Sequence, residues 1–207
     1  MKLLFIICTL AAADIAVAMK YEDNIRRVQH QQASDFTSIE EMLWVKQQTT
    51  AVANVPGTLC QAMLKLRYNG GYRFQYIIYV QTRYEPRRAV IVIISLVAHR
   101  SAFVTTLTTG VTGNRHTHHT VSYKAMQWGQ VAVFKLMYAD RRHGCFILVS
   151  PRGIRGRACR LLQTSRTVNL PIPEDCSRVY AENCPRDISQ IYHPFCGASL
   201  PKIVEWS

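Results

Sequence analysis

The sequence has almost no acidic residues through its middle. Between Met42 and Ala139 the single carboxylate is Glu85, against eleven lysines and arginines, and the whole chain carries a net charge of +12. An electrostatic field of this sign attracts anions and anionic surfaces. Acid–base catalysis by a pair of carboxylates has no candidates in this stretch.

Motifs of enzymes and of nucleic-acid binding are also missing. The chain has neither a G-x-S-x-G sequence nor a glycine-rich phosphate loop, so we predict no catalysis and no cofactor. The basic segment with Arg141, Arg142, Arg152, Arg155 and Arg157 lacks interleaved aromatic residues for base stacking, which argues against single-stranded nucleic acid. The same segment is a candidate contact for an anionic host surface, such as a heparin-like glycan.

Long apolar runs are rare, and the two that occur are short. Residues 1–18 have the parts of a secretory signal: Lys2, an apolar run over 3–13 and a small-residue cleavage site at 16–18. The run is too short for a membrane-spanning helix, which needs about 20 residues, and Asp14 interrupts it. The run at 89–98 is rich in β-branched residues, which favours a strand. We predict a signal peptide over 1–18, secretion, and no membrane span.

Cysteine is absent between Cys60 and Cys145 but frequent afterwards. Cys8 leaves with the leader, so the mature chain keeps an even set: Cys60, Cys145, Cys159, Cys176, Cys184 and Cys196. An even number of cysteines behind a secretory leader indicates disulfides and an extracellular compartment. The sequence alone leaves their pairing open.

Proline is nearly absent from the middle of the chain, where only Pro56 and Pro86 precede Pro151. The segments between turn signals are rich in β-branched and aromatic residues, and several alternate apolar with polar positions. Asn69-Gly70 between two such runs is a strong hairpin signal. We predict antiparallel strands at 42–53, 58–68, 72–82, 89–98, 102–108, 119–126, 130–138, 145–150 and 158–163.

The spacing of these strands predicts one mostly-β domain over 42–207. Sequential hairpins with little crossover favour an up-and-down barrel, and residues 19–41 are predicted to form an N-terminal arm or short helix. Near the C-terminus, prolines and acids over 171–175 precede Cys176, Val179 and Tyr180 at i, i+3 and i+4. This pattern predicts a short amphipathic helix.

A specific pattern of cysteines and their neighbours covers residues 138–196. It comprises Tyr138-Ala139-Asp140, the runs 145–149 and 156–162, the helix start 172–176, and Cys184 and Cys196; Trp44, Cys60 and the hairpin 69–72 are earlier matches. This pattern resembles the tick salivary lipocalins, the histamine-binding-protein family. The resemblance implies an eight-stranded antiparallel up-and-down lipocalin barrel with a short C-terminal helix packed outside. It also implies a secreted, monomeric, non-catalytic protein of tick saliva that captures a small host mediator.

The same resemblance implies three disulfides: Cys60–Cys196, Cys145–Cys176 and Cys159–Cys184. The first would tie the second strand to the C-terminal tail, and the second would tie a late strand to the helix. A Cys145–Cys159 bridge across one hairpin remains the alternative.

The resemblance also locates candidate ligand-binding positions beside the cysteines. Amine-binding members are similar in having an acid directly after the cysteine that matches Cys145, and a glutamate-leucine-tryptophan run in the following strand. A buried ammonium needs such a carboxylate partner. Here Phe146 and Arg160 stand at the acidic positions. An inward Arg160 would repel a cation and could hold a carboxylate with two hydrogen bonds.

We therefore hypothesise that the barrel holds an anionic lipid such as an eicosanoid or fatty acid. Three alternatives stay open: a biogenic amine (histamine or serotonin) as in the family, a barrel filled by its own side chains with Arg160 facing solvent, and an empty barrel whose basic face binds host glycans or proteins. The histidines at 116, 118 and 119 are interpreted as a polar turn rather than a metal site. The expected pocket residues are Trp44, Tyr76, Tyr138, Phe146, Leu148, Arg160 and Leu162.

Overall fold

The computed structural model describes residues 19–50, 59–81, 100–110, 120–125, 130–153 and 156–199. The predicted leader, the predicted strand at 89–98 and the histidine run at 116–119 lie outside the described residues.

The described residues form two α-helices, α1 (Ala33–Thr37) and α2 (Glu174–Asn183), and short 3₁₀ turns span Tyr21–Asp23, Ile25–His30 and Pro194–Ser199. The strands are β1 (Leu43–Thr49), β2 (Ala62–Tyr68), β3 (Arg73–Gln81), β4 (Arg100–Gly110), β5 (Thr120–Ala125), β6 (Gln130–Asp140), β7 (Cys145–Gly153), β8 (Gly156–Thr164) and β9 (Ile188–Gln190).

Eight of these strands close into an up-and-down barrel, as the sequence predicted. Each strand from β2 to β7 pairs antiparallel with its successor, β8 pairs with β1, and β1 closes the ring by pairing with β2. The register of β3 with β4 is continuous from Arg73–Thr108 to Gln81–Arg100. The short strand β9, which the sequence did not predict, pairs with the second half of β1.

Alternation along the strands sorts the buried side chains into an interior and two outer clusters. The interior cluster includes Leu43, Val45, Met63, Tyr76, Phe134, Leu136, Phe146, Leu148 and Leu162. The helix-side cluster, between the barrel and α2, includes Met137, Tyr138, Ile147, Leu161, Val179 and Tyr180. The tail-side cluster, under the C-terminal segment, includes Trp44, Ile77, Tyr79, Val168 and Tyr192.

The N-terminal arm, residues 19–41, closes one end of the barrel. Phe36 of α1 belongs to the interior cluster, and its ring meets Phe146 edge-on with centroids 5.6 Å apart. Lys65 of β2 holds this end, since its Nζ donates to the carbonyl oxygen of Thr37 at 2.8 Å and pairs with Glu40 at 2.5 Å. The packing of Phe36 and the contacts of Lys65 together hold α1 against the barrel.

Three disulfides tie the outer elements to the barrel, in the pairing that the resemblance implied. Cys145–Cys176 and Cys159–Cys184 fasten the two ends of α2, and Cys60–Cys196 fastens the C-terminal tail. The chain-entropy model assigns each loop about 3–5 kcal/mol of stabilisation. In the ranges that the structure describes, no helix has the length and apolar character needed to cross a bilayer.

Candidate functional site

Strands β7 and β8 carry the centre of the candidate site. Phe146 lies opposite Leu162, and Leu148 lies opposite Arg160, in the antiparallel register of the two strands. Directly opposed residues share one face of a sheet, and Phe146, Leu148 and Leu162 all belong to the interior cluster. Arg160 therefore faces the barrel interior, while its neighbours along the chain, Cys159 and Leu161, face α2.

Arg160 is a buried cation, with only 3% of its surface exposed. Its Nη2 donates a hydrogen bond to Oε1 of Gln61, and the guanidinium carbon lies 6.0 Å from the centroid of the Phe134 ring. A guanidinium is weakly hydrated and stacks on aromatic faces, so it tolerates such a site better than an ammonium would. Among the residues whose side chains the structure describes, the interior thus presents the positive charge of Arg160 within apolar and aromatic walls.

Two further polar side chains, Gln48 and Tyr76, are buried on the inner face of the barrel, and Gln48 is the direct strand neighbour of Arg160. Gln48 of β1 lies opposite Arg160 in the β1–β8 register, and Tyr76 of β3 belongs to the interior cluster. The Oε1 of Gln48 and the hydroxyl of Tyr76 are buried without a hydrogen-bond partner among the described residues. Burial also raises the pKa of Tyr76, so its hydroxyl stays protonated and able to donate. Such groups gain free energy when a ligand or water supplies the missing bond.

Carboxylates are nearly absent from the barrel wall. The eight described barrel strands contain a single acid, Asp140, at the last position of β6. Its oxygens accept from the backbone N–H of His143 at 2.9 Å and lie 2.7 Å from the His143 ring, in the turn after the strand. The described residues also hold no cluster of three or more metal-ligating side chains.

The structure brings five of the seven predicted pocket residues together. Tyr76, Phe146, Leu148, Arg160 and Leu162 all face the interior. Gln48, Gln61 and Phe134 were not among the predicted pocket residues. The two glutamines could have been recognised from the sequence, because glutamine is seldom buried and both lie within or beside strands with apolar residues. A glutamine at such a position is a candidate for a polar contact inside the barrel.

Trp44 lies in the tail-side cluster instead of the interior. Its ring meets Tyr192 at 5.0 Å, and its Nε1 donates to the hydroxyl of Ser165 at 3.1 Å. Leu43 and Val45 on either side of it face the interior. The strand is buried on both faces because the C-terminal tail covers its outer side, so alternation could not decide which face holds the tryptophan.

Tyr138 lies in the helix-side cluster because the register of β6 shifts. The pairing of β6 with β7 is irregular between Leu136 and Tyr138, and such a bulge moves the following side chains to the opposite face. Tyr138 stacks on His30 with centroids 5.3 Å apart. Burial, together with the charges of Asp140 and Asp175, raises the pKa of Tyr138 to about 12.

Comparisons with known proteins found a family model and similar solved structures. The family model described as tick histamine binding protein matches residues 97–198. Japanin from Rhipicephalus appendiculatus bound to cholesterol is 15% identical over 74% of this chain and 92% of that chain, with a TM-score of 0.49. The AM182 serotonin complex is 14% identical over 80% and 92%, with a TM-score of 0.50. No curated protein matches the sequence significantly. The likeness to AM182 supports the barrel fold.

Proposed function

Because the chain belongs to the tick histamine-binding protein family of lipocalins, we propose that it binds one small ligand in its barrel. We further propose that this ligand is an anionic lipid such as a fatty acid or eicosanoid, captured outside the cell after removal of the leader at 1–18. AM182 is described in complex with serotonin, which supports the proposal that a barrel of this fold binds a small molecule. The proposed class of ligand rests on the residues that face the barrel interior of this chain.

The orientation of Arg160 is the observation that carries the proposal. A carboxylate in the interior would meet a buried guanidinium whose donors form a planar fork, and such charge-assisted pairs are about twice as strong as neutral hydrogen bonds. Water is largely excluded there, so the attraction is weakly screened. The protonated hydroxyl of Tyr76 is a further donor for a polar group on the ligand.

The wall around Arg160 suits an acyl chain. Phe146, Leu148 and Leu162 share the inner face beside it, and Phe134 lies under the guanidinium. Each buried methylene of a ligand contributes about 0.8 kcal/mol, so a long chain can bind tightly with a single polar anchor.

The same interior disfavours a biogenic amine. An ammonium buried in a barrel needs a carboxylate partner, and the only acid of the described barrel strands, Asp140, lies at the strand end beside His143. Arg160 would in addition repel the ligand at short range and low dielectric. We therefore place an amine second to an anion as the barrel ligand.

Displacement of a fluorescent fatty acid from the mature protein tests the proposal. Oleate and oleyl alcohol have the same chain and differ in the charge of the head group. We expect oleate to displace the probe at a concentration at least about tenfold lower than the alcohol, since hydrogen bonds to charged groups are worth about 1.5–3 kcal/mol. Equal potency of the two lipids, or no binding of the probe, would reject the anionic ligand.

A basic surface that binds host glycans is the second candidate. Arg141 and Arg142 are exposed in the turn between β6 and β7, while Arg157 is held by Glu22 at 2.6 Å and is less available. Salt-dependent retention on heparin together with an empty barrel in native mass spectrometry favours this candidate. A co-purifying acyl mass favours the barrel ligand.

A further inference from the structure

The hairpin between β2 and β3 ends in a group of exposed aromatic, apolar and basic side chains. We call this group the hairpin tip; its residues are Leu66, Arg67, Tyr68, Tyr72 and Arg73. Leu66 is 45% exposed, Tyr68 58% and Tyr72 56%, and both arginines are exposed as well. A Cβ added to Gly70 in the turn would meet nothing within 4 Å, so the hairpin tip projects into open space.

Two departures from regular backbone direct these side chains outward. The register of β2 with β3 shifts between Lys65 and Arg67, which leaves Leu66 as the extra residue of a bulge. Tyr72 has a φ of +59°, a left-handed conformation that costs a tyrosine free energy and a glycine almost none. Neither an exposed leucine on a bulge nor a strained tyrosine in a turn benefits the fold, and such positions are frequent at binding sites.

The hairpin tip is held in place although it is exposed. Two backbone hydrogen bonds close the turn, from the N–H of Asn69 to the carbonyl oxygen of Arg73 at 2.8 Å and from the N–H of Arg73 to the carbonyl oxygen of Gly70 at 3.0 Å. The Tyr68 ring contacts the Phe74 ring with centroids 5.0 Å apart, and Phe74 packs against the interior cluster. Because the exposed groups stand on a fixed scaffold, a partner does not have to order them on binding.

The charge of the hairpin tip is positive. Strands β2 and β3 and the turn between them contain no aspartate or glutamate. Lys65 is paired with Glu40, whereas the ion pairs that join described residues include neither Arg67 nor Arg73. The Nε of Arg67 donates to the neutral amide oxygen of Gln75 at 2.6 Å, which orients the guanidinium without neutralising it. The hairpin tip therefore offers two cations beside one apolar and two aromatic side chains.

We propose that the hairpin tip docks on the surface of a bilayer that contains anionic phospholipid. Tyrosine combines an apolar ring with a polar hydroxyl and is enriched at the boundary between lipid head groups and acyl chains. Arginine pairs with anionic head groups while its stem lies along apolar surface. A glycan has no apolar layer to receive Leu66 and the two tyrosines, so the mixture of side chains favours a bilayer. This contact involves none of the residues that face the barrel interior around Arg160.

Co-sedimentation of the mature protein with lipid vesicles tests the docking. Vesicles of phosphatidylcholine with about 30% phosphatidylserine are compared with vesicles of phosphatidylcholine alone. The acyl chains are the same in both, so any uptake of lipid into the barrel contributes equally. We expect binding to the vesicles with phosphatidylserine, weakening as salt is added, and little binding to the neutral vesicles. Equal binding to the two kinds of vesicle, or binding to neither, would overturn the proposal.

Two arginine variants locate the contact on the protein. Arg73→Gln removes one charge from the hairpin tip and should lower the partition onto anionic vesicles about fivefold. Arg186→Gln removes one exposed charge just before β9, which pairs with the far end of β1, and should leave the partition nearly unchanged. Equal losses in the two variants would show that only the net charge of the protein matters and would reject the hairpin tip.

Tyr72→Gly separates docking on a bilayer from binding of a glycan. Glycine adopts a positive φ readily, so the variant keeps the fold while the exposed ring is lost. We expect its partition onto anionic vesicles to fall at least about threefold, with its retention on heparin unchanged. Full vesicle binding by Tyr72→Gly would contradict the role of the ring. Heparin retention that is lost in Arg73→Gln, without any binding to vesicles, would assign the hairpin tip to a glycan and overturn the proposal.

Discussion

Arg160 of β8 and Gln61, just before β2, are joined by a hydrogen bond inside the barrel although 99 residues separate them in the sequence. The amide oxygen of Gln61 accepts from the same guanidinium that a ligand carboxylate would approach. The pair therefore marks where the polar end of a barrel ligand would lie.

Gln61→Glu should weaken anion binding by supplying the carboxylate from the protein itself. The substitution keeps the size of the side chain and forms an ion pair with Arg160, so oleate affinity should fall about tenfold or more. Stability should change little, because a buried ion pair roughly offsets its own desolvation. Fluorescent displacement and urea unfolding measure the two quantities, and the exposed Gln29→Glu is the matched control. Unchanged oleate affinity in Gln61→Glu would show that the head group binds elsewhere.

The sequence left the direction of Arg160 open, and it did not define the surroundings of the aromatic candidates. In β8, Cys159 and Leu161 face α2 while Arg160 and Leu162 face the interior, but this alternation fixes the direction of Arg160 only once Cys159 is paired with Cys184, a pairing that the resemblance alone implied. In β6 the sequence predicted Tyr138 as a pocket residue, whereas it lies in the helix-side cluster. The register shift after Leu136 sends Tyr138 outward, and a bulge leaves no clear signal in a run of apolar residues.

The barrel itself was largely predictable because its strands follow each other in order. Turn signals such as Asn69-Gly70 and the scarcity of proline define hairpins, and hairpins in sequence build an up-and-down sheet. The strand β9 and the outward Trp44 were not predictable. Both depend on the C-terminal tail returning to β1, a long-range contact that local patterns do not encode.

Gly144→Ala should destabilise the protein more than Gly70→Ala. Both glycines have positive φ, +65° and +77°, so each alanine costs roughly 1–2 kcal/mol of backbone strain. At Gly144 an added Cβ would lie 2.5 Å from the Thr164 hydroxyl, whereas at Gly70 it meets nothing within 4 Å. Overpacking should add about 1–3 kcal/mol at Gly144. Urea unfolding measures the difference; equal midpoints would contradict the close approach.

Glu22→Gln should loosen the N-terminal arm. It leaves Arg157, which is 23% exposed, without its bidentate anion, and we expect a loss of about 2 kcal/mol in unfolding free energy. Asp23→Asn, which breaks the more exposed pair with Lys135 at 2.6 Å, should cost less than ~1 kcal/mol. Thermal denaturation of both variants checks the order. A larger effect for Asp23→Asn would reverse this assignment of the anchoring contact.

Alkaline pH should destabilise the fold above about pH 10. Burial raises the pKa of Tyr76, Tyr138 and Tyr180, to about 12 for Tyr138. The folded state then holds these protons more tightly than the unfolded state, whose tyrosines titrate near 10. The resulting stability is complete below pH 10 and is lost as the pH rises towards the folded-state pKa. Tyrosine absorbance and circular dichroism, followed together, should show these residues ionising with unfolding. Ionisation of all tyrosines near pH 10 in the folded protein would refute their burial.

The affinity of oleate for Arg160→Gln, compared with the exposed control Arg142→Gln, tests the anionic barrel ligand most directly. Both variants remove one positive charge, so the long-range electrostatic field changes by a similar amount in each. The two variants differ in whether the guanidinium that is lost faces the barrel interior or the solvent. We expect oleate affinity to fall about tenfold or more in Arg160→Gln and to stay at the wild-type value in Arg142→Gln. Equal affinities in the two variants would contradict the assignment of Arg160 as the anchor of the ligand.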